Sequence, residues 1–267
     1  MKPVFFIDYD NTIFSHRKWA VPQSALDALR ALREDGCKVV IASGRLIRST
    51  SYPPEIAGIF EADGLVSSNG AVVELDGELI WEKYFDPALQ KRIMDFALEH
   101  DYCIVSGFDG KWYTSSQKRF DSLATNNQRR YRPVDGGPFI SLYGKTLPSF
   151  FVADTEEVIR EFEREFPETR LLRMGDRVGG ADIIPRENGK TMGAARILER
   201  LGTGFENAVA IGDSMNDIDL IRAASYGIAM GNAMQEVRDA ADYVAPDIDD
   251  GGLADAIARA RLVKEIL

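Results

Sequence analysis

The chain has 267 residues, 45% of them apolar and 28% charged, with a net charge of −10, which predicts a sizeable core in one large or two smaller domains. An acidic chain repels nucleic acid and anionic lipid, which argues against both as partners, and no run of residues approaches the length of a membrane span. Two cysteines far apart in sequence support neither a disulfide framework nor a cysteine-based zinc site, and with a start too short for a signal peptide they predict a cytoplasmic protein.

The first 82 residues alternate between apolar runs and a helical pattern. Residues 4–7, VFFI, form a short run typical of a strand buried on both faces of a parallel sheet. Residues 21–36 predict a helix with apolar residues at helical spacing and a terminal glycine, and residues 38–44 predict the next strand. Strand, helix and strand in this order indicate parallel pairing with a right-handed crossover. Strand and turn signals continue over residues 61–77.

The middle of the chain has α+β character, and we predict that residues 83–185 are a separate domain inserted between residues 1–82 and 186–267. Residues from about 115 to 146 are polar and give no clear pattern. The other segments predict helices at residues 86–100 and 155–166 and a single strand at 149–154. They also predict two hairpin-like pairs of strands, at 102–108 with 111–115 and at 169–175 with 177–185.

The alternation of strands and helices returns in the last part of the chain. Apolar runs of strand length separate amphipathic segments, as in the first part. Both ends therefore predict one α/β domain, a Rossmann-like, doubly wound parallel sheet. The predicted elements are helices at 189–202, 216–225, 233–241 and 252–267, and strands at 207–213, 226–231 and 242–246.

Polar residues follow three of the predicted strands, at the edge where open parallel sheets bind their ligands. Four of them are carboxylates, and like charges this close need a compensating cation. A hard divalent ion provides one, and Mg²⁺ is the usual choice where phosphate is the other ligand. The residues are Asp8 and Asp10 after the first strand, Ser43 and Gly44 after the second, and Asp213, Asn216 and Asp217 after the strand at 207–213.

These residue types suit phosphoryl transfer. Asp8 can attack phosphorus and form an aspartyl-phosphate, and Asp10 can protonate the leaving oxygen and later take a proton from water. Ser43 can donate a hydrogen bond to phosphate, and the missing Cβ of Gly44 lets its N–H approach closely. Lys190 opens a predicted helix, where a cation opposes the helix dipole, so we predict that it binds an anion at that end.

Four segments resemble the motifs of the haloacid dehalogenase superfamily, and the C-terminal sequence resembles its Cof-type subfamily. The segments are DYDNT at 8–12, VVIASG at 39–44, Lys190, and GDSMND at 212–217. The resemblance implies a Mg²⁺-dependent phosphatase whose insertion is a large α/β cap of the IIB-like type. It implies as metal ligands Asp8, which is also the nucleophile, Asp10 through its backbone carbonyl, Asp213, and Asp217 at or near the ion. It implies that Asn216 contacts phosphate or orients Asp8.

Some residues depart from the motifs or lie beside them. Tyr9 and Asn11 replace the Leu and Gly of the commoner first motif, and we predict that Asn11 adopts the positive φ of a tight turn. Arg45 is expected either to steer an anionic substrate or to pair with an acidic residue. His16 and His100 have no metal-ligand spacing, and the sequence assigns them no role.

Three functions remain open on this sequence. The first hypothesis is a cytoplasmic phosphatase for small phosphorylated metabolites, such as sugar phosphates or phosphorylated cofactors, with the cap excluding water from the first step. A phosphomutase would use the same chemistry with a sugar as the acceptor. A phospho-aspartate signalling module would gather similar residues, but Asp10 and the long insertion argue against it.

Overall fold

The structure, a computed structural model, describes residues 2–124, 134–174 and 179–265. The chain divides into two compact units, which we call unit 1, residues Met1–Glu82 with Asn188–Leu267, and unit 2, residues Lys83–Glu187. The sequence places these boundaries near residues 83 and 186, and the role of unit 2 as a cap stays a proposal. Within the described ranges, no helix combines the length and the apolar character that crossing a membrane requires.

The predicted strands and helices are present in the structure, with small shifts at their ends. The described strands are β1 (Val4–Asp8), β2 (Lys38–Ala42), β3 (Gly64–Ser67), β4 (Val72–Leu75), β5 (Glu78–Glu82), β6 (Ile104–Phe108), β7 (Lys111–Thr114), β8 (Phe150–Val152), β9 (Thr169–Arg173), β10 (Ala181–Pro185), β11 (Ala208–Gly212), β12 (Tyr226–Ala229) and β13 (Tyr243–Val244). The described helices are α1 (Gln23–Glu34), α2 (Pro87–Glu99), α3 (Gln117–Leu123), α4 (Glu156–Glu165), α5 (Lys190–Arg200), α6 (Ile218–Ala223), α7 (Gln235–Ala240) and α8 (Gly252–Val263).

An eight-stranded sheet in the order β13-β12-β11-β1-β2-β3-β4-β5 forms the centre of unit 1. The strands from β13 to β3 pair in parallel, which confirms the predicted doubly wound core. Strands β4 and β5 pair antiparallel, a feature that the sequence analysis does not predict. The reason is the short turns before them, because a parallel return needs a crossover of a dozen or more residues. Ser68, Asn69 and Asp76 reverse the chain there with positive φ angles.

Strand β1, VFFID, is buried along its whole length. Phe5 and Ile7 pack into the apolar cluster that includes side chains of α1 and α8, whereas Val4 and Phe6 pack into the cluster with side chains of α5 and α6. Because apolar clusters cover both faces of the sheet, every position of the strand favours an apolar residue. Asp8 is the exception, and it lies at the carboxyl end of the strand.

Unit 2 contains a five-stranded antiparallel sheet in the order β7-β6-β8-β10-β9. Helix α2 begins after Asp86, whose side chain accepts hydrogen bonds from the first turn. Helix α3, capped by Ser116, lies in the polar stretch that gave no clear pattern, and the following residues 125–133 lie outside the described ones. The same holds for residues 175–178 within the second predicted hairpin and for residues 266–267 of the last predicted helix.

Candidate active site

The carboxyl ends of three neighbouring strands bring most of the predicted site residues to one edge of the sheet in unit 1. Asp8 ends β1 and pairs in register with Ala42, the last residue of β2. Ser43 and Gly44 follow β2 directly, and Asp213 follows β11, on the other side of β1. The predicted convergence of these strand ends is therefore present in the structure.

Lys190 lies between two of the predicted carboxylates. It is the first residue of α5, and its side chain is 0% exposed. Its Nζ donates a hydrogen bond of 2.5 Å to Oδ1 of Asp8 and one of 2.6 Å to Oδ1 of Asp217. Two carboxylates therefore share one buried ammonium group, which leaves the cluster short of positive charge.

Three carboxylates in this cluster have the spacing of a metal site. Oxygens of Asp8, Asp213 and Asp217 lie within 4.8 Å of one another. The second oxygen of Asp8, Oδ2, is buried and has no hydrogen-bond partner among the described residues. An oxygen-only donor set with an unsatisfied carboxylate oxygen fits a hard divalent cation such as Mg²⁺.

The electrostatics of the cluster point the same way. Burial raises the pKa of Asp8 to about 8; Lys190 opposes this shift, and the charges of Asp217 and Asp10 add to it. Burial and the neighbouring Asp8 and Asp217 also raise the pKa of Asp213 well above its ordinary value. Burial alone would lower the pKa of Lys190, but the same carboxylates hold it above its usual range. These carboxylates are therefore stabilised by added positive charge, either from bound protons or from a metal cation.

A tight loop positions Asp217. Its Oδ2 accepts hydrogen bonds from the backbone N–H groups of Asp213, at 3.2 Å, and of Ser214, at 3.0 Å. Because the loop closes around this carboxylate, helix α6 begins at Ile218 rather than at residue 216 as predicted. Gly212 makes the approach possible, since a Cβ at this position would lie 2.4 Å from Cγ of Asp217.

A polar group lies beside Gly44. Nδ2 of Asn216 donates a hydrogen bond of 2.9 Å to Oδ1 of Asn69, and Oγ of Ser214 donates one of 2.7 Å to Oδ1 of Asn216. A Cβ at Gly44 would lie at ordinary contact distances from both asparagine side chains, 3.5 Å and 3.6 Å. Asn69 was not among the predicted site residues, although its Asn-Gly turn was visible in the sequence.

The carboxylate of Asp10 lies outside the group of three and is paired with two basic side chains. It contacts Arg45 Nη2 at 2.5 Å and His16 Nε2 at 2.6 Å. Burial would raise the pKa of Asp10, but the hydrogen bond from His16 and the charge of Arg45 hold it well below its usual range. Of the two roles considered for Arg45, the structure shows pairing with an acidic residue. The contact of His16 had no signal in the sequence. Asn11 has a φ of 58°, which confirms its predicted turn conformation.

Comparisons with known proteins agree with the geometry. A family model described as haloacid dehalogenase-like hydrolase matches residues 5–257. The 5-amino-6-(5-phospho-D-ribitylamino)uracil phosphatase YcsE of Bacillus subtilis is 44% identical over 257 residues, covering 94% of this chain and 92% of that protein. Phosphoglycolate phosphatase of Methanothermobacter thermautotrophicus is 27% identical over 256 residues, covering 95% of this chain and 96% of its own. The solved structure of BT1666 from Bacteroides thetaiotaomicron shares the fold, with a TM-score of 0.86 at 24% identity over 100% of this chain and 96% of that chain.

Proposed function

The chain belongs to the haloacid dehalogenase-like hydrolase family, and we propose that it hydrolyses phosphomonoesters of small metabolites through an aspartyl-phosphate on Asp8. The match over residues 5–257 confirms the family that the four motifs resemble. The relatives at 44% and 27% identity described above are named as phosphatases, and the enzyme is a phosphoric monoester hydrolase. The metal, the mechanism and the substrate belong to the proposal.

The observation that carries the mechanism is the environment of Asp8. One of its oxygens accepts a hydrogen bond from Lys190, and the other is buried without a partner among the described residues. A carboxylate held by one oxygen in a fixed orientation is a suitable nucleophile for phosphorus. Asp213 and Asp217 lie next to it and, with Asp8 and the backbone carbonyl of Asp10, would hold Mg²⁺. When bound, the ion supplies positive charge that neutralises the transferring oxygens.

Two proton transfers balance over one turnover. In the first half, an oxygen of Asp8 bonds to phosphorus, the bond from phosphorus to the leaving oxygen breaks, and Asp10 donates a proton to that oxygen. Asp10 must enter this half protonated, which requires its carboxylate to leave the contacts with Arg45 and His16 that keep it ionised. In the second half, water attacks phosphorus, Asp10 takes a proton from the water, and the bond to Asp8 breaks, which releases inorganic phosphate. Ser43, Gly44, Lys190 and Asn216 are the proposed phosphate contacts during both halves.

The family and the relatives support the proposed substrate class. The relative at 44% identity is named for 5-amino-6-(5-phospho-D-ribitylamino)uracil, so a phosphorylated sugar alcohol attached to a heterocycle is the first compound to test. We propose that unit 2 acts as the cap that selects the leaving group. We also propose a cytoplasmic location, supported by Cys37 and Cys103, which are both buried and form no disulfide. The acidic charge supports a separate proposal, that nucleic acid is not a partner.

The test measures phosphate release by the purified full chain. We expect multiple turnovers of p-nitrophenyl phosphate with Mg²⁺, loss of activity in EDTA, and recovery on adding Mg²⁺. Asp8→Asn should abolish turnover, whereas Asp27→Asn, at an exposed position on α1, should not change it. A panel of phosphorylated metabolites compared by kcat/KM then identifies the substrate. One phosphorylation event without turnover would contradict the proposal and favour a signalling module, and a bisphosphate product would indicate a phosphomutase.

A further inference from the structure

We propose that Asn69 is a positioning residue that sets the direction of the hydrogen-bond donors of Gly44 and Asn216 toward phosphate. The proposal rests on the proposed function, in which these two residues contact the phosphoryl group, and it adds the residue that holds them in place. Asn69 lies between β3 and β4, in residues 68–70, which we call the β3–β4 turn. The spacing of the sequence motifs gave Asn69 no role in the site.

The β3–β4 turn has an unusual backbone conformation. Ser68, Asn69 and Gly70 have consecutive positive φ angles of 48°, 52° and 83°. This left-handed region is unfavourable for most L-residues, and glycine and asparagine are among the few that tolerate it. Such conformations persist only where surrounding contacts hold them, and they cluster at functional sites. The contacts of the turn therefore indicate which groups its geometry serves.

The backbone of the β3–β4 turn holds the peptide groups on both sides of Gly44. The N–H of Asn69 donates a 3.0 Å hydrogen bond to the carbonyl of Ser43, and the N–H of Ser68 donates one of 2.8 Å to the carbonyl of Arg45. In a trans peptide the carbonyl and the following N–H point in opposite directions. Because the Ser43 carbonyl points to Asn69, the N–H of Gly44 points away from the backbone of the turn. No described residue accepts a hydrogen bond from this N–H, so it is available to a ligand.

The side chain of Asn69 fixes the amide of Asn216. Its Oδ1 accepts the 2.9 Å hydrogen bond from Nδ2 of Asn216, and Oδ1 of Asn216 accepts one of 2.7 Å from Oγ of Ser214. Rotation of the Asn216 amide would break both hydrogen bonds. An amide nitrogen carries two hydrogens, so one N–H of Asn216 remains for phosphate, in a direction that Asn69 determines. Asn69 is only 1% exposed, so bulk water has little access to compete for this contact.

The last residue of the turn packs against the segment before Lys190. A Cβ at Gly70 would lie 2.2 Å from the carbonyl oxygen of Gly189, so the turn is in direct backbone contact with the residue before α5. The β3–β4 turn thus contacts the loops after β2 and β11 and the start of α5, which together carry all of the proposed phosphate contacts. Its hydrogen bonds described above run to Ser43, Arg45 and Asn216 and not to a carboxylate oxygen, so we expect changes at Asn69 to affect phosphate binding more than metal binding.

The experiment compares Asn69→Gly and Asn69→Ala with the control Asp76→Gly. Glycine removes the side chain but keeps the left-handed backbone, whereas alanine removes the side chain and also disfavours that backbone. Asp76 has a φ of 50° in the turn between β4 and β5, and it pairs with Lys38 at the surface rather than with a site residue. The control therefore reproduces the backbone change at a position outside the site. Circular dichroism checks that each variant is folded.

The main readout is the dissociation constant of inorganic phosphate, measured by phosphorus NMR at saturating Mg²⁺, which requires no turnover. We expect it to rise about 3- to 10-fold in Asn69→Gly, the effect of one lost hydrogen bond. Asn69→Ala should show a larger rise, because the turn itself becomes unfavourable, and Asp76→Gly should match the wild type. KM for p-nitrophenyl phosphate should rise in parallel. The Mg²⁺ affinity, measured by calorimetry, should stay at the wild-type value in Asn69→Gly, which a general structural defect of the site would not allow.

Two results would overturn the inference. An unchanged phosphate dissociation constant in Asn69→Gly would show that this side chain orients no phosphate contact. Equal losses of phosphate affinity and Mg²⁺ affinity would show a general defect of the site instead. Either result can occur while the wild type turns over p-nitrophenyl phosphate, which would leave the proposed function intact. A wild type that binds phosphate without turnover would instead contradict the proposed function.

Discussion

Replacing Lys190 by methionine should destabilise unit 1 strongly in the absence of a divalent cation. The Nζ of Lys190 is the cation between Asp8 and Asp217, at 2.5 Å and 2.6 Å, and its side chain is fully buried. Removing one partner of a buried ion pair costs about 3–5 kcal/mol, because the remaining charge is left without compensation. Because Asp8, with a pKa of about 8, is already largely protonated near pH 7, Asp217 is the main charge left without compensation, so we expect a loss of about 3 kcal/mol, at the lower end of that range.

The matched control is Lys38→Met. Lys38 pairs with Asp76 at 2.6 Å, a similar distance, but its side chain is 36% exposed. A surface pair of this kind contributes about 0–1 kcal/mol. The two variants therefore differ mainly in the burial of the ion pair, and we expect the Lys190 variant to lose several times more stability than the Lys38 variant.

The assay is urea unfolding followed by tryptophan fluorescence in a Trp112→Phe background. The two remaining tryptophans, Trp19 and Trp81, then both lie in unit 1. Adding Mg²⁺ should reduce the deficit of Lys190→Met, because the ion replaces part of the missing charge. If Lys190→Met loses no more free energy of unfolding than Lys38→Met in EDTA, the reasoning about a shared buried ammonium is wrong.

Three further predictions concern residues of the same site. In EDTA, the pKa of Asp8 is about 8 in the folded state, above the ordinary aspartate value of 3.8. The resulting contribution to stability is complete below pH 3.8 and should be lost as the pH rises through about 8. Urea midpoints across this range should decline in the wild type and not in Asp8→Asn. Gly212→Ala should lower stability by about 1–3 kcal/mol and weaken Mg²⁺ binding measured by calorimetry, because its Cβ would lie 2.4 Å from Asp217; an unchanged variant would contradict this packing. Gly44→Ala should keep the wild-type melting temperature, because its Cβ would meet only ordinary contacts, and it should raise KM for p-nitrophenyl phosphate, because the added Cβ hinders the approach of phosphate to the backbone at Gly44. A melting temperature as low as that of Gly212→Ala would contradict the expected packing at Gly44.

The sequence predicted the part of the site that depends on strand ends. Apolar runs identify buried strands, and parallel order brings their carboxyl ends together, so the positions of Asp8, Ser43 and Asp213 follow from local pattern and general topology. Lys190 was predicted at a helix start as an anion contact. Its burial between two carboxylates was not predicted, because charge partners in distant segments depend on the packed structure.

The missed features depend on side-chain direction rather than on pattern. Pairing with an acidic residue was one of the two roles predicted for Arg45, but its partner, Asp10, was not predicted, and neither was the contact of His16 with Asp10. Both residues lie in loops, where spacing does not determine which group a long side chain reaches. Asn69 belongs to a turn whose type was visible, whereas its contact with Asn216 joins residues far apart in the chain. The antiparallel pairing of β4 was missed because its buried, apolar sequence resembles that of the parallel strands, and β5 was not predicted at all, since its residues are largely exposed and include two glutamates.

The chain order of unit 1 constrains how the protein forms during synthesis on the ribosome. Strand β1 lies between β2 and β11, and β11 is translated only after all of unit 2. Until then, one edge of β1 in the nascent polypeptide lacks its native partner, whereas unit 2 is synthesised as one continuous segment. Long-range pairing of this kind is slow and leaves strand edges open to aggregation. Nascent unit 1 is therefore where we expect molecular chaperones to be needed most.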